Sequence, residues 1–287
     1  MREFQTLDGS AELRAALIKR RVPKTERRTL QINSFAFRLE LILPVDLDET
    51  QKHPLLLVLN DAPGGQAVSD RFSLSWESVL VSSEHIIIAR LDGHGSGFQG
   101  EEILHGVHQR LGTVDAQDQI AALEQLFKLP YIDESKVGIY GKAYGGFLST
   151  VLLLSQNSRF RCGIAAAPIT DWRLYGSASS EKYFGFPAKE EYKYQISSLV
   201  GLSPSQPQEL FIIHGTADAT VHFQHSAELV KLLSSLNVNY TLQIFPDEGH
   251  TLFGHSQQFM LSSVMAFYKR CFQEKEAVAL ETSKEDD

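Results

Sequence analysis

The chain has 287 residues, 43% of them hydrophobic and 22% charged, with a formal net charge of −8. This is ordinary globular composition, long enough to bury a sizeable core. It offers no basic face for nucleic acid, and no apolar run reaches the ~18 residues that a membrane-spanning helix needs.

In chain order, the first segment, Met1 to Leu7, lacks the basic-then-apolar order of a signal peptide. A helix is predicted over 11–20, ending before Pro23. From Phe35 the chain alternates apolar and polar residues and stops at Pro44, the mark of a half-buried antiparallel strand. The pattern then changes to short continuous apolar runs starting at Leu55, His85, Val137, Cys162, Leu210 and Tyr240. Runs of that kind suit central parallel strands buried on both faces. Helical stretches fall between them, over 114–127, 146–155, 224–236 and 257–271. Alternation of strand and helix implies an α/β fold, with a mostly parallel, doubly wound sheet and helices on both faces. The Tyr-, Ser- and charge-rich segment 172–201 reads as a helical insertion over the sheet edge. The organisation expected is an N-terminal helix and linker over 1–30, one α/β domain over 31–273, and a disordered acidic tail over 274–287.

The chemistry gathers at three predicted strand ends. Gly141-Lys142-Ala143-Tyr144-Gly145-Gly146 follows a strand and opens a helix, the setting of a G-x-S-x-G nucleophile elbow. Small neighbours let the chain turn there, and Gly141, Gly145 and Gly146 supply them. The central residue is Ala143, whose methyl group cannot be deprotonated and cannot attack a carbonyl. Asp218 follows the strand that starts at Leu210, and His250 follows the next one. Nucleophile position, acid, base is the chain order of hydrolases with this elbow. One oxyanion donor would be the backbone of Tyr144, and the loop after Leu59 should bring the second, with Asn60 as the candidate.

Other features read as structural. His222 and His225 lack a third ligand, so no metal and no cofactor is expected. Ser149 lies roughly 9 Å up the elbow helix, too far to replace a serine at 143. Asp92-Gly-His-Gly-Ser-Gly reads as a tight loop at the sheet edge. Cys162 and Cys271 are either two buried thiols or one bridge. Asn239-Tyr240-Thr241 is a glycosylation sequon and points to an oxidising compartment.

Together, Asp92-Gly-His-Gly-Ser-Gly-Phe-Gln-Gly, Gly141-Lys-Ala-Tyr-Gly-Gly, His214-Gly-Thr-Ala-Asp, Val221-His-Phe-Gln-His-Ser and Pro246-Asp-Glu-Gly-His resemble the dipeptidyl peptidase IV branch of the prolyl oligopeptidase family. The resemblance runs over about 8–275 and is greatest to the branch's non-catalytic, dipeptidyl peptidase-like members. It implies an α/β-hydrolase fold. Ala143 takes the nucleophile's place, Asp218 and His250 the acid and base, and Asn60 that of an oxyanion tyrosine. Tyr144, Tyr183, Ser179 and Val221 fall in the substrate pocket, Ser179 in place of a family tyrosine, and His94 stands where the family has arginine. Cys162 and Cys271 match a family disulfide. The resemblance also implies a homodimer through helices near 222–236 and 256–272. Its full-length non-catalytic members are plasma-membrane glycoproteins, facing outward, that serve A-type voltage-gated potassium channels as auxiliary subunits. Family members carry an anchor and a β-propeller ahead of this domain, so the chain is expected to be a C-terminal fragment or a truncated product. A pseudoenzyme is the expected function. The alternative is a residual hydrolase in which His250, oriented by Asp218, activates water.

Overall fold

A computed structural model of the chain describes residues 9–20, 22–201 and 208–273. The expected acidic tail over 274–287 lies outside the described residues.

Helix α1 (Ala11–Lys19) leads into a hairpin of β1 (Lys24–Ile32) and β2 (Phe35–Leu43). Then come β3 (His53–Val58), α2 (Trp76–Glu84), β4 (Ile87–Asp92), α3 (Glu101–His105) and α4 (Val114–Leu126). Strand β5 (Ile132–Lys142) runs directly into α5 (Tyr144–Leu153), with only Ala143 between them. Beyond β6 (Cys162–Ala166), α6 (Ser177–Phe184) and α7 (Glu191–Ile196) form the expected helical insertion. The chain closes with β7 (Glu209–Gly215), α8 (Gln224–Ser235), β8 (Tyr240–Phe245) and α9 (Gly254–Phe272).

The strands form one eight-stranded sheet in the order β1-β2-β4-β3-β5-β6-β7-β8. Strand β2 is antiparallel to β1 and β4, and the pairs from β4 through to β8 are parallel. Residue 31 as a boundary therefore falls inside a strand, because β1 pairs with β2 along its whole length. The sequence hides β1: Lys24-Thr-Glu-Arg-Arg-Thr-Leu-Gln-Ile buries only its last residue, as an edge strand can.

Period-two alternation sends successive side chains to opposite faces. Val137 and Ile139 enter the core beneath α4, α5 and α8, while Tyr140 packs into the opposite core beneath α2 and α9. A disulfide joins Cys162 of β6 to Cys271 of α9 across the second core, so the two thiols are one bridge. The parallel strands end together, and that common edge carries Lys142, His214 and the loops holding Asp218 and His250. An edge of this kind is where open α/β sheets place ligands.

Candidate functional site

Ala143 sits at the strand-to-helix turn with φ 50° and ψ −111°, in backbone space that residues with a Cβ avoid. The turn is held from both sides. Ala143 N–H donates to the Ala166 carbonyl (2.9 Å), and its own carbonyl accepts from Phe147 (3.0 Å) and Ile169 (3.1 Å). Gly145 cannot carry a side chain, since a Cβ there would lie 2.7 Å from the Asn60 carbonyl oxygen. Ala143 is buried, 6% exposed.

Asp218 and His250 are brought together. Strand β7 ends at Gly215, and the tight loop after it turns the Asp218 carboxylate inward. One oxygen accepts backbone N–H groups from Thr220 and Val221, both at 2.8 Å. The other accepts from His250 Nδ1 at 2.7 Å. With Nδ1–H committed, His250 Nε2 is left as the acceptor, the tautomer a general base requires. Burial pushes the Asp218 carboxyl upward, but the Val221 N–H, His250 and the Thr220 N–H outweigh it and hold the group below its ordinary value. His214 supports the carboxylate from beneath. Its Nε2–H donates to the Val221 carbonyl at 2.8 Å and lies 3.4 Å from Asp218, while Nδ1 meets the Ser226 hydroxyl at 2.7 Å. Burial lowers the His214 pKa, against the raising pull of the Val221 carbonyl and Asp218.

The oxyanion candidates are arranged otherwise. The Tyr144 backbone N–H donates to the Asp61 carbonyl at 3.2 Å. The Asn60 amide lies over Gly65, where an added Cβ would come within 2.6 Å of both its polar atoms. An N–H already bonded and an amide folded onto its own loop leave little to stabilise a developing oxyanion.

The pocket candidates separate. The Tyr144 ring is 5% exposed, packs near Phe147 and Trp172, and donates its hydroxyl to Asp115. Val221 is fully buried, and its backbone carbonyl and N–H bond His214 and Asp218. Tyr183 is partly buried under Lys182, 5.4 Å above its ring, and Ser179 is exposed in the first turn of α6. Ser149 is buried, its hydroxyl donating to the Gly146 and Ile164 carbonyls. His94 bonds to Asp118 at 2.7 Å and wedges against Phe35 and Phe37. Asn239 is exposed just before β8. His225 is fully buried and His222 exposed, and among the described residues no cluster could hold a metal ion.

One cavity of about 510 Å³ opens beside His250 and Asp218. Lys142, Tyr140, Trp76, Leu252 and Met260 are part of its lining; Ala143, Tyr144 and Tyr183 are not. Lys142 escaped the sequence reading, although it stands inside the elbow motif. Attention there falls on the residue that should attack, and no pattern signals that its neighbour faces a void.

A mostly parallel sheet, a strained strand-to-helix turn after its fifth strand and an Asp–His pair at the same edge define an α/β-hydrolase-type domain. Residues 72–275 match the model of the prolyl oligopeptidase family, and the chain belongs to that family. It is 43% identical over 282 residues to inactive dipeptidyl peptidase 10 of Mus musculus, covering 98% of this chain and 35% of that protein. Against dipeptidyl peptidase 4 of Sus scrofa the identity is 35%, over 94% of this chain and 36% of the relative. The chain thus spans about a third of the length of these curated relatives. The crystal structure of Porphyromonas gingivalis dipeptidyl peptidase 4 superposes with a TM-score of 0.86 at 30% identity, covering 93% of this chain and 38% of that one.

Proposed function

We propose that the chain is a non-catalytic member of the dipeptidyl peptidase branch, a domain that keeps the hydrolase architecture and has lost the reaction. The observation that carries this reading is the methyl group of Ala143 at the elbow, on the sheet edge whose loops also hold the assembled Asp218–His250 pair. Without a nucleophile, triad catalysis falls to the ~10³–10⁴ over water that an intact oxyanion hole supplies. Here Tyr144 N–H is engaged by Asp61, which removes part of that remainder. The similarity to relatives named inactive dipeptidyl peptidase 10 points the same way. The test is hydrolysis of a Pro-containing dipeptide amide by the purified chain. The expected rate equals that of buffer at every pH. Turnover that disappears in His250→Ala would sink the reading and establish the second one, water activation by His250, which the 2.7 Å bond to Asp218 favours.

The same resemblance extends the proposal to partners and place. As part of a longer protein, the domain would dimerise through α8 and α9 and lie outside the plasma membrane, in a complex with an A-type voltage-gated potassium channel. The Cys162–Cys271 bridge supports an oxidising compartment, and the exposed Asn239 sequon fits glycosylation there. Co-expression of the full-length protein with such a channel should change the kinetics of its current. Unchanged gating together with failure to co-purify would remove the channel from the proposal.

A further inference from the structure

The cavity beside His250 is a binding site in its own right, and the structure assigns it a ligand class: we propose that it takes a small monocarboxylate with an apolar or aromatic body, the carboxylate on Lys142. The proposal is independent of whether His250 catalyses anything.

The void of about 510 Å³ is of the size that small-molecule sites occupy. Its wall is mostly apolar. Trp76 and Tyr140 meet with ring centroids 4.9 Å apart, and Leu252 and Met260 continue the surface. Lys142 lines the same space, half-buried at the end of β5. Among the described residues no carboxylate reaches ion-pair distance of its ammonium, and no acceptor bonds to it. A cation removed from water without a partner is unfavourable, and a ligand carboxylate would relieve it with a charge-assisted hydrogen bond.

The surroundings set the charge of the ligand. The titratable groups about Lys142 are Tyr140 on its own strand, His214 near the end of β7, Asp218 after it, His250 after β8, and Asp61 after β3. Glu77, which faces Tyr140 from α2, is held by Arg90 at 2.8 Å. The Asp218 carboxylate is already occupied by Thr220, Val221 and His250, so it does not neutralise the lysine directly. One cation with two carboxylates in range favours a monoanion over a phosphate dianion. Burial also lowers the Lys142 pKa, against the opposing pull of Asp61 and Asp218.

The test is calorimetric titration of the 287-residue chain with 4-phenylbutyrate and with its neutral isostere 4-phenylbutanamide. The acid should bind about tenfold more tightly than the amide, the scale of one charge-assisted contact. Lys142→Met should erase that difference while keeping amide binding, Lys142→Arg should preserve it, and Trp76→Ala should weaken both ligands. Lys231→Met, on the exposed face of α8, should change nothing. Circular dichroism would show that each variant is folded. Equal affinity of acid and amide, an unchanged acid affinity in folded Lys142→Met, or no binding of either would overturn the proposal.

Discussion

Ala143 isolates one question, because the strand-to-helix turn and the Asp218–His250 pair are both formed around an edge that lacks a serine. In Ala143→Ser the new hydroxyl would stand at the elbow of an edge that holds His250 with Nε2 free. A fluorophosphonate probe should label this variant and not the native chain. Its amide turnover should stay at least ~10²-fold below that of an ordinary serine peptidase, since the Tyr144 N–H remains committed to Asp61. The acid and base should also part company in stability. Asp218→Ala strips a fully buried carboxylate from two backbone N–H groups and His250, and should cost about 2–4 kcal/mol in urea unfolding. His250→Ala removes a ring that is 22% exposed and should cost about 1 kcal/mol. A larger loss from the histidine would reverse the structural ranking.

His225 brings a pH dependence at the same scale. Its Nδ1 accepts from Thr170 at 3.1 Å, its Nε2 is buried without a partner, and burial pushes its pKa down to about 4. The folded value lies below the ordinary ~6.5, so between those limits the unfolded chain binds the extra proton. Stability is therefore full above pH ~6.5 and falls as pH drops toward 4, by up to ~3 kcal/mol from this group. Denaturant midpoints across that window should fall less in His225→Gln than in the native chain. Parallel slopes would show that His225 is not the responsible group.

Among the elements, strand and helix identity was legible wherever packing enforces a simple period. The buried strands β3 to β7 read as apolar runs because both of their faces are covered. The edge strand β1 was not legible, because its exposed positions carry Lys, Glu and Arg and only Ile32 is buried. Helix α2 was missed as well: Trp76 to Glu84 is short and serine-rich, and its N-terminal capping box uses Ser75 and Ser78 instead of the more telling glutamate. The bridge between β6 and α9 makes a prediction for elements. It closes a loop with a sequence separation of 109, and removing it through paired Cys162→Ala and Cys271→Ala should cost about 2–5 kcal/mol. Differential scanning calorimetry with and without reductant should show the same drop in the native chain and none in the double variant.

At the scale of the whole molecule, three strand ends far apart in sequence converge because a parallel sheet aligns all its carboxyl ends. That is why chain order alone located the Asp218–His250 pair. The Tyr144–Asp61 bond, the Asn60 amide over Gly65 and the void at Lys142 were beyond sequence, because each depends on where a loop settles after folding. The proposed dimer belongs to this scale too. Phe259 on α9 and Ile244 on β8 are large apolar side chains left exposed. Sedimentation velocity at micromolar concentration should find a dimer that Phe259→Glu dissociates. A native monomer would remove these helices from the interface.

The bridge has a mechanical consequence as well. A pull on the two ends of the chain enters at α1, passes along β5 and the Ala143 turn to β6, and leaves through sulfur to α9. The 163–270 segment, with Asp218 and His250, lies off that path while the bridge is closed. Tension would therefore strain the Ala143 turn long before it reached Asp218 and His250. Reducing one bond would bring that hidden length under load.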